Sequence, residues 1–243
     1  MKSKSAFYRQ NRMKFIFYSL ILVVLSFLAW SWNRPLPNLF LIGDSISIQY
    51  GPYLEKYLEG TVMYERKQDD GQAGKNLDVP TGANGGDSRM VLAYLRIKMK
   101  DPDFKPDYMV LNCGLHDIKR DVETGQLQVQ SDEYRENLEA IISLLKEKNI
   151  RIIWIRTTPV VDSIHNTKGH SFHRYAADLE IHNQIADEVF SRNNIPAIDL
   201  FGFTRQLGED QFIDHVHYSD KARDLQAAFI AGFIQSLIKK NLR

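Results

Sequence analysis

Three residues carry the chemistry this sequence offers: a serine, a histidine and an aspartate. Ser45 follows an apolar run, Leu39-Phe40-Leu41-Ile42, and a Gly43-Asp44 pair. A hydroxyl is a weak nucleophile until a base takes its proton. His217 suits that role, because imidazole titrates near neutral pH. Asp214 stands three residues earlier, so one tight turn can return its carboxylate to the imidazole N–H. There it would hold the tautomer and stabilise the imidazolium. Acyl transfer also needs donors for an oxyanion. The backbone N–H of Ser45, the N–H of Gly86 in the turn Asn84-Gly85-Gly86-Asp87, and the side chain of His116 could supply them. The plainer account of Asp44 and Ser45 is helix capping, for which both residue types are suited.

Other groups are weaker candidates. His215 is an alternative base, but the three-residue spacing from Asp214 favours His217. His165, His170 and His173 share one loop with no carboxylate or cysteine to complete a metal set, so no metal and no cofactor are expected. Thr157 and Thr158 end a strand and could touch substrate, although a turn before Pro159 explains them equally well. Arg89 could reach an acid on the substrate. Cys113, the single cysteine, lies in an apolar run and reads as a packed thiol.

Elements that would position these residues follow from the pattern. A buried strand over 39–42 leads into a helix on which Ile48, Tyr53, Leu54 and Tyr57-Leu58 recur at helical spacing. Ser45 then lies at a helix N-terminus, where backbone N–H groups favour negative charge. A second strand is expected at 61–64, a long loop over 68–86, and a helix from Asp87 or Ser88. A fully buried strand over 108–114 delivers Gly114-Leu115-His116-Asp117 to the same sheet edge as Ser45. A helix over 131–148, a strand over 151–156, a helix over 173–192, a short strand over 195–200 and a closing helix over 219–238 complete the chain. Strands alternating with helices argue for an α/β fold, a doubly wound parallel sheet of five strands with helices on both faces.

Residues 1–33 stand apart. Lys2, Lys4, Arg9, Arg12 and Lys14 precede an apolar run from Phe15 to Trp32. The run is long enough to span a bilayer, and its basic flank would face the cytoplasm. It reads as an N-terminal transmembrane signal-anchor, with cleavage near Ala29-Trp30-Ser31 as the alternative. Either way residues 34–243 would be extracytoplasmic, in the periplasm or at the cell exterior. The whole chain has 31 basic and 30 acidic residues. Five of the basic ones lie in the leader, so the remainder carries 26 against 30, a net of −4. That surface has no footprint for nucleic acid.

With these motifs in order, the chain resembles the SGNH (GDSL-type) hydrolase superfamily. The resemblance rests on Gly43-Asp44-Ser45, Gly86, Gly114-Leu115-His116-Asp117 and Asp214-His215-Val216-His217, and spans about residues 38–238. It implies a flavodoxin-like three-layer α/β/α sandwich that hydrolyses acyl esters without a metal. Ser45 would be the nucleophile, His217 the base and Asp214 its partner. Ser45, Gly86 and His116 would line the oxyanion hole. The family usually has Asn where this chain has His116, though a neutral imidazole can donate one hydrogen bond as an amide can. Gly-Leu-His-Asp is similar to a branch that includes extracytoplasmic members directed at carbohydrate esters. The expected substrate is therefore an acylated polysaccharide or oligosaccharide. A lipase, lysophospholipase or thioesterase of the same fold is the alternative, and an anchored binding module that lost its chemistry is another.

Overall fold

In a computed structural model of the chain, residues 15, 18, 19, 35–68, 71–166 and 171–241 are described. The expected leader, 1–33, lies outside them apart from residues 15, 18 and 19. No helix among the described residues is long and apolar enough to cross a membrane. Pro37–Arg243 form one compact unit.

Strand β1 (Asn38–Ile42) leads into α1 (Ser45–Leu58), followed by β2 (Met63–Arg66), α2 (Ser88–Lys98) and β3 (Tyr108–Leu111). The two-residue strand β4 (Arg120–Asp121), α3 (Ser131–Glu147), β5 (Arg151–Ile155) and the single turn α4 (Asp162–His165) follow. Next come β6 (Phe172–His173), α5 (Ala176–Arg192), β7 (Ala197–Ile198), α6 (Leu200–Gln206) and α7 (Asp220–Asn241). Five strands form one parallel sheet in the order β2-β1-β3-β5-β7. Counted within the sheet this is 2-1-3-4-5, the flavodoxin-like order. Strands β4 and β6 form a separate antiparallel pair.

The central strands are apolar along their whole length because both faces are covered. Successive side chains point to opposite faces, and the core divides accordingly. Leu39, Leu41, Val110, Ile153 and Ile155 pack with α1 and α7. Phe40, Ile42, Met109, Leu111, Ile152 and Trp154 pack with α2, α3 and α5. Trp154 stacks on Phe190 of α5 with ring centroids 4.4 Å apart. The strand order reverses between β1 and β3, and a ligand crevice forms at such a point beyond the carboxyl ends of the strands. Ser45 follows β1 and His116 follows β3, so both lie there.

Some boundaries differ from expectation. The second strand starts at Met63, because the N–H groups of Thr61 and Val62 both return to Leu58 O and close the end of α1. The helix expected from 173 starts at Ala176, since His173 pairs with Arg120 in the small ladder. The last strand shrinks to two residues. Asp199 instead accepts the Gly202 N–H at 3.0 Å and caps α6, a helix absent from the sequence reading.

Candidate active site

At the end of β1, Asp44 takes the N-cap of α1 with extended backbone, and its carboxylate accepts the Ile46 N–H at 3.0 Å. Capping therefore falls to Asp44. Ser45 is left as the first helical residue, at a position where N–H groups have no intrahelical acceptor.

Its hydroxyl oxygen lies 2.9 Å from His217 Nε2, and His217 Nδ1 lies 2.7 Å from Asp214 Oδ2. The other carboxylate oxygen, Asp214 Oδ1, accepts the N–H groups of Val216 and His217, each at 2.8 Å. This tight turn is what returns the carboxylate to the ring. Burial acts to raise the Asp214 pKa. The bonds from the His217 ring and the two N–H groups, with the His217 charge, outweigh it and hold the carboxyl well below the usual range. His215 does not share the arrangement. Its Nε2 lies 3.4 Å from Arg174 Nη1, and its Nδ1 is 3.8 Å from Asp214 Oδ1.

Two elements frame the space before Ser45. Gly86 sits in a turn at φ +73°, where a Cβ would meet Met90 Sδ at 2.5 Å. Its N–H donates to Asn84 Oδ1 at 2.9 Å. Asp87 caps α2 by accepting the Met90 N–H. Opposite, the turn after β3 opens at Gly114, with φ +153° and no room for a Cβ against Thr157 Oγ1. His116 in this turn is buried. Burial, and then the charges of Lys119, Arg174 and His217, push its pKa well below 6.5, so the imidazole is neutral. Its Nδ1 has no hydrogen-bond partner among the described residues. Asp117 binds the two turns together by accepting the Ser88 N–H at 2.9 Å.

The remaining expected residues lie elsewhere. Thr157 is buried in the polar core: its hydroxyl donates to Cys113 O, and its N–H donates to Asn183 Oδ1, both at 3.1 Å. Asn112 Nδ2 donates to the same hydroxyl and to Ile155 O. Thr158 is buried as well, beside a void of about 10 Å³ shared with Asp44 and Ser47. Arg89 pairs with Asp87 at 3.0 Å and with Glu133 at 3.9 Å, away from the triad. Cys113 is buried, and burial with neighbouring carboxylates pushes its thiol far up. His173 meets the Tyr175 hydroxyl at 3.4 Å, whereas the side chain of His165 and all of His170 lie outside the described residues.

A model of the GDSL-like lipase/acylhydrolase family matches residues 41–225. The chain belongs to that family. As a GDSL-like acylhydrolase it is a hydrolase by descent, and its fold agrees. A lipase/acylhydrolase from Enterococcus faecalis is 19% identical, with 83% of this chain and 96% of that one covered and a TM-score of 0.59. An acetyl xylan esterase is 18% identical over 81% of this chain and 98% of its own, with a TM-score of 0.58. A single-residue variant of an acetyl-xylooligosaccharide esterase from Geobacillus stearmophilus is 17% identical over 82% and 93%, with a TM-score of 0.57. At these identities the likeness is one of fold. No curated protein sequence matches the chain.

Three residues of this acylhydrolase escaped the sequence reading. Arg174, 2% exposed, donates from Nε to Leu115 O at 2.8 Å and lies between the His116 turn and His215. Asp78 approaches Arg174 at 3.6 Å from the long loop. Asn84 occupies the Gly86 N–H. None has a periodic or motif signal, because each acts through loop geometry. The one available hint was the Asn-Gly-Gly run, which marks a turn without saying what it holds.

Proposed function

We propose that this acylhydrolase is a serine esterase that removes small acyl groups, acetyl above all, from an acylated carbohydrate. The unbroken contact from the Ser45 hydroxyl through His217 to Asp214 carries the reading. Ser45 Oγ attacks the ester carbonyl carbon as His217 Nε2 takes the hydroxyl proton. The carbonyl oxygen becomes an oxyanion facing the Ser45 N–H at the start of α1 and a ring nitrogen of neutral His116. The Gly86 N–H joins them by sharing its bond with Asn84. Collapse breaks the ester C–O bond, and the alcohol leaves with the proton from His217. Water, deprotonated by the same imidazole, then attacks the acyl-enzyme and releases the acid. Asp214 keeps Nδ1 protonated and stabilises the imidazolium throughout. A donor in such a hole is typically worth about 10²–10³ in rate.

Carbohydrate as the alcohol part is supported by the fold shared with two esterases of acetylated xylan or xylooligosaccharide and by the Gly-Leu-His-Asp motif. An extracytoplasmic place, with residues 14–32 as a membrane anchor, is supported by the composition of the leader alone.

A serine-directed fluorophosphonate should label Ser45, and Ser45→Ala should fold but release no acid. Failure of the folded protein to take the label would leave a binding module. Acetylated xylan and nitrophenyl esters of graded length, with Ser45→Ala as the blank, test the substrate. Activity that climbs beyond about eight carbons would replace the carbohydrate reading with a lipase.

A further inference from the structure

Between two of the loops opens a cleft of about 800 Å³, within the range of roughly 300–1,000 Å³ for small-molecule sites. One wall, residues 76–80, belongs to the loop that ends in the Gly86 turn; the other, 119–128, continues from the His116 turn. Ser171 and Phe172 close it. Asp78 on the first wall lies 3.9 Å from His215 Nε2, and the rings of His215 and His217 are 6.2 Å apart. The Asp78 end of the cleft thus approaches His215, the neighbour of the triad imidazole.

Two buried cations stand at that end: Lys119 lines the cleft, and Arg174 lies behind it against Asp78 and Phe172. Lys119 is 8% exposed, yet among the described residues its ammonium donates to a single acceptor, Asp78 O, at 3.0 Å. It otherwise sits 4.3 Å from the centre of the Phe172 ring, with the Arg174 guanidinium 4.8 Å from the same ring. An ammonium has three donors, and burying one without a matched anion is costly. The nearby carboxylates are otherwise engaged. Asp78 faces Arg174 at 3.6 Å. Asp87 takes Arg89 and Gln128 Nε2. Asp121, at the outer lip, accepts the N–H groups of Glu123 and Thr124 in its own turn. Burial first, and the Arg174 charge second, bring the Lys119 pKa down to about 8, as expected of a cation short of counter-charge.

We propose that this cleft binds an anionic group, carboxylate or phosphoryl, on the alcohol part of the ester, with Lys119 Nζ as its contact and Arg174 as supporting charge. The substrate class becomes an acylated acidic saccharide. This rests on the esterase reading of the triad for the chemistry, but binding can be measured without turnover.

The test uses the full chain carrying Ser45→Ala and calorimetric titration with three probes: trigalacturonate, its neutral methyl ester, and inorganic phosphate. Trigalacturonate should bind at least tenfold tighter than the methyl ester. Adding Lys119→Gln should weaken it by roughly 10- to 100-fold, the worth of one charge-assisted hydrogen bond, while Lys119→Arg retains most of the affinity. Displacement by phosphate supports a shared anion site. Phosphate binding that depends on Lys119, with no trigalacturonate binding, assigns the anion to a phosphoryl group. Equal affinity for acid and methyl ester overturns the proposal, as does the absence of binding by all three probes. The acid-to-ester comparison needs no Lys119 variant, so it decides even where Lys119→Gln does not fold. Fluorophosphonate labelling of Ser45 without any preference for acid would sink the anion site alone and leave the esterase standing.

Discussion

Replacing Asp117 by Asn should change how stability depends on pH, with the turnover chemistry untouched as a readout. Asp117 is fully buried and accepts the Ser88 N–H, joining the Gly86 and His116 turns. Burial pushes its pKa from 3.8 up to about 7; bonds from the Ser88 hydroxyl and N–H oppose the rise, and the Asp87 charge adds to it. The folded state therefore keeps a proton that the unfolded chain has lost. Stability from this group is fully present below pH ~4 and is lost as pH climbs to about 7. At 1.36 kcal/mol per pH unit the window is worth about 4 kcal/mol. Asn keeps an acceptor for the Ser88 N–H and has no proton to lose. Urea unfolding of the two proteins at intervals from pH 4 to pH 8 is the assay. The wild type should lose about 4 kcal/mol relative to Asp117→Asn across that range, with most of the change before pH 7. A difference that stays flat within about 1 kcal/mol would show that the carboxyl ionises as readily inside the fold as outside, and would refute the reasoning.

His116→Asn should remain active, since an amide supplies a donor as a neutral imidazole does; a fall in kcat/KM beyond ~10³-fold would refute that role. Gly86→Ala should cost both stability and kcat, because φ +73° disfavours a side chain and the new Cβ meets Met90. A variant with unchanged melting temperature and unchanged kcat would count against the strained turn.

Much of the fold was legible because the central strands are continuous apolar runs and the helices carry clear stripes. Leu39-Phe40-Leu41-Ile42 running into Gly43-Asp44-Ser45 announced a strand, a turn and a helix start in seven residues. The Asp214 to His217 spacing was equally readable, since one Asx-type turn satisfies it. The two-residue strands β4 and β6 were not legible, because a ladder that short leaves no period. Arg174 was hidden because what distinguishes it is burial, and neither its type nor its neighbours in sequence predict that.

The β4–β6 ladder pairs Arg120 with His173 and Asp121 with Phe172, and Arg120 is further fastened to Asp178 of α5 at 2.6 Å. A two-residue ladder has few backbone bonds to break, so local opening there costs less than opening the five-stranded sheet. Amide hydrogens of Asp121 and Phe172 should exchange with solvent deuterium far sooner than that of Val110, so the small ladder can open without melting the sheet.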